Sequence, residues 1–126
     1  MSVASYRAIT AQGNLTDANP HKVVQVMLDA VSSRVAEATG HLERGETAQK
    51  GEKIGKALGI IEALVLGLDK ERGGDIAANL ERLYDYMSRT LLRANLENRA
   101  DLLKEVSALL REIKLGWEGI SGAANA

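Results

Sequence analysis

Cysteine is absent from this sequence of 126 residues, which excludes disulfide bonds and thiolate metal sites. Phenylalanine is also absent, and aromatic residues make up only 3% of the chain. The apolar residues, 45% of the total, are therefore mainly Leu, Ile, Val, Met and Ala, a set that suits packed helices. A chain of this length and apolar content is expected to form one domain.

Neither sign of charge dominates, since the formal net charge is −1. This balance argues against nucleic acid as a partner, because nucleic-acid binding usually requires a basic patch. The longest apolar run, 57–68, is interrupted by Glu62 and is too short to span a bilayer. The first 16 residues lack the continuous apolar segment of a secretory signal. We therefore expect a cytoplasmic protein that does not insert into a membrane.

Apolar residues recur at helical spacing in four segments separated by turn-forming residues. The first helix is predicted to begin near Pro20, with Asn19 as its cap, and to end near Gly45. A polar connection, 45–50, leads to a second helix over about 51–68.

Two further helices follow. The Gly73–Gly74 pair is predicted to break the chain before a third helix that begins with Asp75. Asp101 is predicted to cap the fourth helix. The core is predicted from the four apolar stripes, which contain Val24, Met27, Leu28, Val31, Val35, Ala38 and Leu42; Ile54, Ala57, Leu58, Ile61, Leu64, Val65 and Leu68; Ile76, Leu80, Leu83, Tyr84, Met87, Leu91 and Ala94; and Leu102, Leu103, Val106, Leu109, Leu110, Ile113 and Trp117.

Four amphipathic helices with short connections predict an all-α fold, an antiparallel up-and-down four-helix bundle with a short N-terminal arm or helix. We expect a mobile arm over 1–19, the helical bundle over 20–120 and a disordered tail over 121–126. A three-helix domain whose first helix is swapped into a partner molecule is an alternative.

The two histidines do not indicate a metal site. His21 and His41 would lie about 30 Å apart on one helix, and His21 is expected to be exposed. Glu37 and His41 have the spacing of a helical metal half-site, but no second half-site is present. A di-metal bundle would need Glu-x-x-His pairs, which the sequence lacks. No catalytic motif is found, so we expect neither an enzyme nor a cofactor.

Residues off the core stripes predict a surface for a partner. An interior glycine destabilises a helix by about 1 kcal/mol relative to alanine, so a close helix crossing or a groove that admits a partner should offset the glycines of the second helix. Off-stripe apolar residues on several helices could form one patch, although each also suits the edge of a core. The candidate partner-binding residues are Tyr6, Ile9, Val23, Val26, Gly55, Gly59, Tyr86, Leu92 and Leu96.

The stretch 73–95 also carries a resemblance, since it reads GGDIAANLERLYDYMSRTLLRAN. A Gly-Gly turn followed by Ile-Ala-x-Asn-Leu, Leu-Tyr-Asp-Tyr-Met and Leu-x-x-Ala-Asn resembles the third helix of the flagellar secretion chaperone family (FliS). The resemblance extends to the Asn-Pro-His-Lys run that starts at Asn19 and to Trp117-Glu118. Tyr6 is similar to the aromatic residue that family members carry in the arm.

The resemblance implies an all-helical bundle in the cytoplasm of a flagellated bacterium. It implies that the partner is the disordered C-terminal segment of flagellin, which would wrap around the bundle and be kept from premature polymerisation. The loaded chaperone would then meet the flagellar type III export gate. The arm with Tyr6 and Ile9 is expected to cover part of an apolar groove until the cargo displaces it. A helical interaction module or secretion regulator without flagellin specificity is the alternative, and a homodimer is left open.

Overall fold

Each of the four predicted segments forms a helix in the structure, a computed structural model that describes residues 19–120. Short connections of two or three residues join the helices. The predicted all-α four-helix bundle is confirmed. The helices are α1 (Pro20–Glu43), α2 (Thr47–Leu66), α3 (Lys70–Glu97) and α4 (Ala100–Glu118).

The helices pack in a ring in which each one touches the next and α4 returns to α1. Ion pairs show that α1 and α4 run antiparallel. Glu43, at the end of α1, faces Lys104 near the start of α4, with 3.3 Å between oxygen and nitrogen. Asp29, nearer the start of α1, faces Lys114 near the end of α4 at 2.8 Å. The short connections impose the same antiparallel arrangement on the other neighbours.

The start and end of α1 follow the sequence signals. The side chain of Asn19 accepts a hydrogen bond from the backbone N–H of Lys22 at 3.1 Å, and Pro20 occupies the first helical position. Beyond the end of the helix, Gly45 has a φ of +75°, which glycine adopts without steric strain. The predicted boundaries of this helix are confirmed.

The glycine pair breaks the helix, as the sequence predicts, but a short helical turn precedes the break. The helix begins at Lys70, because Asp69 caps it by accepting a hydrogen bond from the N–H of Arg72 at 3.0 Å. Gly74 then kinks the helix, with φ 51° and ψ −123°. An ion pair of 2.8 Å between Lys70 and Glu81 spans the kink. The long regular part of α3 therefore follows Gly74, as predicted, and the turn that begins at Lys70 is the part that the prediction missed.

The predicted starts of α2 and α4 are wrong. Asp101 does not cap α4; Arg99 is the cap residue, and Asp101 lies in the first turn, paired with the Arg99 guanidinium at 2.6 Å. The second helix begins at Thr47 and not near Gly51, so most of the predicted polar connection is helical.

Most of the predicted stripes form the core, and the exceptions described next lie on α1 and α3. Val23, placed off the stripe by the sequence, is only 1% exposed. Because α1 packs against both α2 and α4, its buried face is wider than one stripe. In the opposite sense, Ile76 is 39% exposed although it lies on the predicted stripe of α3. The partly buried members of the predicted stripes are Val24, Leu42, Leu58, Val65, Leu68, Leu83 and Leu109.

Lys50 is a buried cation in the first turn of α2, where the sequence predicted a polar connection. Only 2% of the surface of this residue is exposed to solvent. The ammonium group donates to the backbone carbonyl of Asn95 at 2.9 Å and to Oδ1 of Asn98 at 2.5 Å. The last carbonyls of a helix lack partners within the helix, so Lys50 stabilises the C-terminal end of α3.

We expect Lys50→Met to lower the free energy of unfolding by about 1–3 kcal/mol, because the carbonyl at the end of α3 loses its donor in a buried place. Urea denaturation followed by circular dichroism measures the loss. Lys56→Met is the control on the same helix, since the pair of Lys56 with Glu52 is exposed and such pairs contribute about 0–1 kcal/mol. Equal losses in the two variants would contradict the stabilising role of Lys50.

Candidate partner-binding groove

An apolar groove lies between α3 and α4, where α3 begins and α4 ends. Its volume is about 350 Å³. Asn79 and Glu112 are the polar residues at its walls, and the other lining residues are apolar or glycine. We call this feature the α3–α4 groove; it is lined by Ile76, Asn79, Leu80 and Leu83 of α3, by Leu109, Glu112, Ile113, Gly116 and Trp117 of α4, and by Ile120.

Gly116 helps to keep the α3–α4 groove open. A Cβ atom added at this position would meet no other atom within 4 Å, so packing inside the bundle does not require a glycine there. A glycine inside a helix nevertheless destabilises it by about 1 kcal/mol relative to alanine. The missing side chain leaves space on the side of α4 that lines the groove. A partner that enters the groove would use this space.

A hydrogen bond joins α3 and α4 beyond the last lining residues of the groove. The Tyr86 hydroxyl donates to the carboxylate of Glu105. This hydrogen bond stabilises the protonated phenol and raises the pKa of Tyr86 above its ordinary value. Tyr86 is 42% exposed, so its ring offers contact area next to the groove. Among the candidate partner-binding residues on the described helices, Tyr86 is the one whose side chain forms a hydrogen bond between α3 and α4.

Trp117 links the groove to the start of α1. Its indole is 3% exposed and stacks on the ring of His21, with ring centroids 4.8 Å apart. Two hydrogen bonds join the same residues, at 2.7 and 2.9 Å. The predicted exposure of His21 is therefore wrong, because the ring is held against the last turn of α4. His41 pairs with Glu46 at 2.7 Å, while Glu37 contacts Arg34 at 2.6 Å.

The remaining candidates are spread over other surfaces. Leu92 and Leu96 are 50% and 83% exposed on α3, but neither lines the α3–α4 groove. Val26 lies in a separate cleft of about 260 Å³ between α1 and α4, which also contains the Asp29–Lys114 ion pair. Val23 is buried in the core and offers no surface to a partner in this packing.

Gly55 lies exposed on α2, and Gly59 is half-buried on the same helix. A Cβ added at Gly55 would meet no atom within 4 Å, so a close helix crossing does not explain this glycine. Tyr6 and Ile9 lie outside the described residues. The structure thus brings Tyr86 near the groove and leaves Val26, Gly55, Leu92 and Leu96 on separate surfaces.

Several lining residues of the groove were assigned to the core by the sequence, namely Ile76, Leu80, Leu83, Leu109, Ile113 and Trp117. Ile76, Leu83 and Leu109 follow helical spacing, and this spacing does not distinguish a covered position from an open one. One signal was available. The apolar face of α4 is broad, with Leu109 and Leu110 adjacent. Leu110 is buried, whereas Leu109 lines the groove.

Two further properties of residues 19–120 bear on function. No three His, Cys, Asp or Glu side chains in this range are grouped so that they could hold a metal ion. None of the described helices combines the length and the apolar character needed to cross a membrane.

An all-helical bundle with an apolar groove open to solvent is typical of protein-interaction modules that bind a helical segment of a partner. The model of a family described as flagellar protein FliS matches residues 2–124. The chain therefore belongs to this family, and the resemblance of the stretch 73–95 is confirmed. The family is one of chaperones and not a class of enzymes.

Individual relatives cover nearly the whole chain. The chain is 47% identical over 120 residues to the flagellar secretion chaperone FliSB of Pseudomonas aeruginosa, which covers 95% of both proteins. It is 40% identical over 124 residues to the flagellar secretion chaperone FliS of Salmonella typhimurium, covering 98% of this chain and 92% of the relative. The FliS of Vibrio cholerae is 38% identical over 119 residues, covering 94% and 88%.

Proposed function

We propose that this chain is a cytoplasmic export chaperone that binds the disordered C-terminal segment of flagellin. Binding prevents premature polymerisation, and the loaded chaperone delivers flagellin to the flagellar type III export apparatus. The observation that carries the proposal is the open α3–α4 groove in a member of a secretion-chaperone family. An exposed apolar groove of this kind fits the apolar face of an amphipathic helix.

The dimensions of the groove support a helical ligand that extends beyond it. Ile76, Leu80 and Leu83 share one face of α3 and span about 10 Å along its axis. The α3–α4 groove therefore holds about two turns of a bound helix. A longer segment needs further contacts on the bundle. We place these at Tyr86 beside the groove and at the candidates outside it, namely Val26, Gly55, Gly59, Leu92 and Leu96.

The N-terminal arm is proposed to occupy the groove before cargo arrives. The described chain begins at Asn19, two residues before His21, whose ring stacks on Trp117 in the groove wall. The described chain thus starts next to the groove. Tyr6 and Ile9 supply apolar side chains close enough along the chain to reach it, and flagellin would displace them.

Titration with a peptide of the flagellin C-terminal segment tests this function. We expect heat of binding, a gain in helical circular dichroism and a negative heat-capacity change, because coupled folding typically buries about 1,000–3,000 Å². Ordering the segment opposes binding by about 2–5 kcal/mol, which suits a cargo that must later be released. Calorimetry at several temperatures gives these quantities.

A peptide of the same composition in scrambled order is the control for the titration. No heat and no gain in helical signal with the native segment would refute flagellin binding. Equal affinity for the C-terminal segment of an unrelated export substrate would favour an interaction module without flagellin specificity.

A further inference from the structure

His21 and Trp117 form a reciprocal contact between the first turn of α1 and the last turn of α4. The indole Nε1–H of Trp117 donates to the backbone carbonyl of His21 at 2.9 Å. Nε2 of His21 bonds the backbone carbonyl of Trp117 at 2.7 Å. The two rings lie nearly parallel, with 12° between their planes. Each side chain therefore holds both the ring and the backbone of the other residue.

The direction of the histidine bond follows from its partner. A backbone carbonyl only accepts hydrogen bonds, so Nε2 of His21 carries the hydrogen and donates. The Trp117 carbonyl also accepts the backbone N–H of Ile120 at 3.1 Å. His21 thus bonds the carbonyl around which the chain turns at the end of α4.

This contact adjoins the α3–α4 groove. Trp117 and Ile120 both line the groove, and His21 touches the first of them directly while sharing a carbonyl acceptor with the second. His21 itself is not a lining residue. Any effect of His21 on a ligand in the groove would therefore act through the position of Trp117 and the end of α4.

We propose that His21 is a positioning residue, which holds Trp117 and the end of α4 as a fixed wall of the α3–α4 groove. A wall fixed before binding favours association, because the ligand then need not order it. The effect on cargo affinity rests on the proposed function, whereas the position of Trp117 in the free protein does not. The two statements can therefore be tested separately.

The chain contains a single tryptophan, so its fluorescence reports on Trp117 alone. We expect His21→Ala to shift the emission of the free protein to longer wavelength and to increase its quenching by acrylamide. His21→Gln keeps an N–H donor the same number of bonds from Cα and should restore the emission and quenching of the unaltered protein in large part. His21→Phe keeps a flat ring without a donor, and therefore separates stacking from hydrogen bonding.

Affinity for the flagellin C-terminal peptide is the second measurement. Loss of one buried hydrogen-bonded contact is expected to weaken binding about tenfold in His21→Ala, with recovery in His21→Gln. Val31→Ala is the control for lost stability, because Val31 is fully buried elsewhere on α1. It should leave both the Trp117 emission and the affinity unchanged when the protein is measured well below its unfolding temperature.

Unchanged emission and quenching in His21→Ala would overturn the positioning role, whatever the affinity. Equal losses of affinity in His21→Ala and Val31→Ala would also overturn it, because a general loss of stability would then explain both. If the unaltered protein does not bind the peptide, the proposed function fails. The fluorescence of the free variants still decides whether His21 positions Trp117.

Discussion

Gly116→Leu is expected to weaken binding of the flagellin C-terminal segment by about 30-fold or more, which corresponds to about 2 kcal/mol, the scale of a central interface contact. The added side chain would enter the α3–α4 groove, where a Cβ at this position meets open space. The same change replaces an interior helical glycine and should raise stability by somewhat less than 1 kcal/mol. Calorimetric titration and thermal unfolding measure the two effects.

The opposite signs of these effects make the result specific. A variant that is more stable but binds less well cannot have lost binding through unfolding. Gly55→Leu is the comparison variant, because Gly55 is also an exposed helical glycine with open space around it, but on α2 and outside the groove. Since only a secondary cargo contact is proposed at Gly55, we expect this change to weaken binding less than Gly116→Leu does. A loss of binding confined to Gly55→Leu would place the main contact on α2 and contradict the assignment to the α3–α4 groove.

The helices that follow local rules were predictable from the sequence. The start of α1 depends on Asn19 and Pro20, whose capping and conformational preferences act within one turn. The first turn of α3, which begins at Lys70, was not predicted, although Asp69 is also a good cap residue. The glycine pair did mark the break at Gly74, and the turn before it depends on the Asp69 cap. A glycine marks a change in backbone direction without fixing whether the helix ends there.

Contacts between distant residues explain the errors at single side chains. Lys50 is buried because the end of α3, some 45 residues later, supplies two acceptors. His21 is half-buried because Trp117 lies 96 residues away in the sequence and next to it in the bundle. Neither partner is visible in a local pattern. Helical spacing identifies a face, but tertiary packing decides which residues on that face are covered.

The candidate site likewise depends on tertiary packing that helical spacing does not predict. Apolar spacing placed Ile76 and Leu83 in the core, and the structure places both in the walls of a groove. Leu92 and Leu96 were chosen as candidate partner-binding residues because their positions off the apolar stripe predicted exposure, and both are exposed in the structure. Exposure alone does not create a concave surface, which requires two helices to leave a gap. The family resemblance predicts a groove, whereas its position between α3 and α4 depends on the packing.

Trp117 has the largest expected effect on stability of any single side chain in the groove wall. Its indole is 3% exposed and belongs to the core, and it contacts α1 through stacking and two hydrogen bonds. We expect Trp117→Ala to lower the free energy of unfolding by about 3–5 kcal/mol. This is a large fraction of the roughly 5–15 kcal/mol typical of a domain. Urea denaturation followed by far-ultraviolet circular dichroism measures it, since the change removes the tryptophan fluorescence.

Trp117→Phe separates packing from hydrogen bonding in this loss. Phenylalanine keeps an aromatic ring in the core but lacks the indole N–H that donates to the His21 carbonyl at 2.9 Å. We expect it to be less stable than the unaltered protein by about 1–2 kcal/mol, from one hydrogen bond and imperfect filling of the site. A loss below about 1 kcal/mol in Trp117→Ala would show that the end of α4 is not anchored on α1 in solution. The groove would then lack a fixed wall on that side, and its ligand would have to order the end of α4 when it binds.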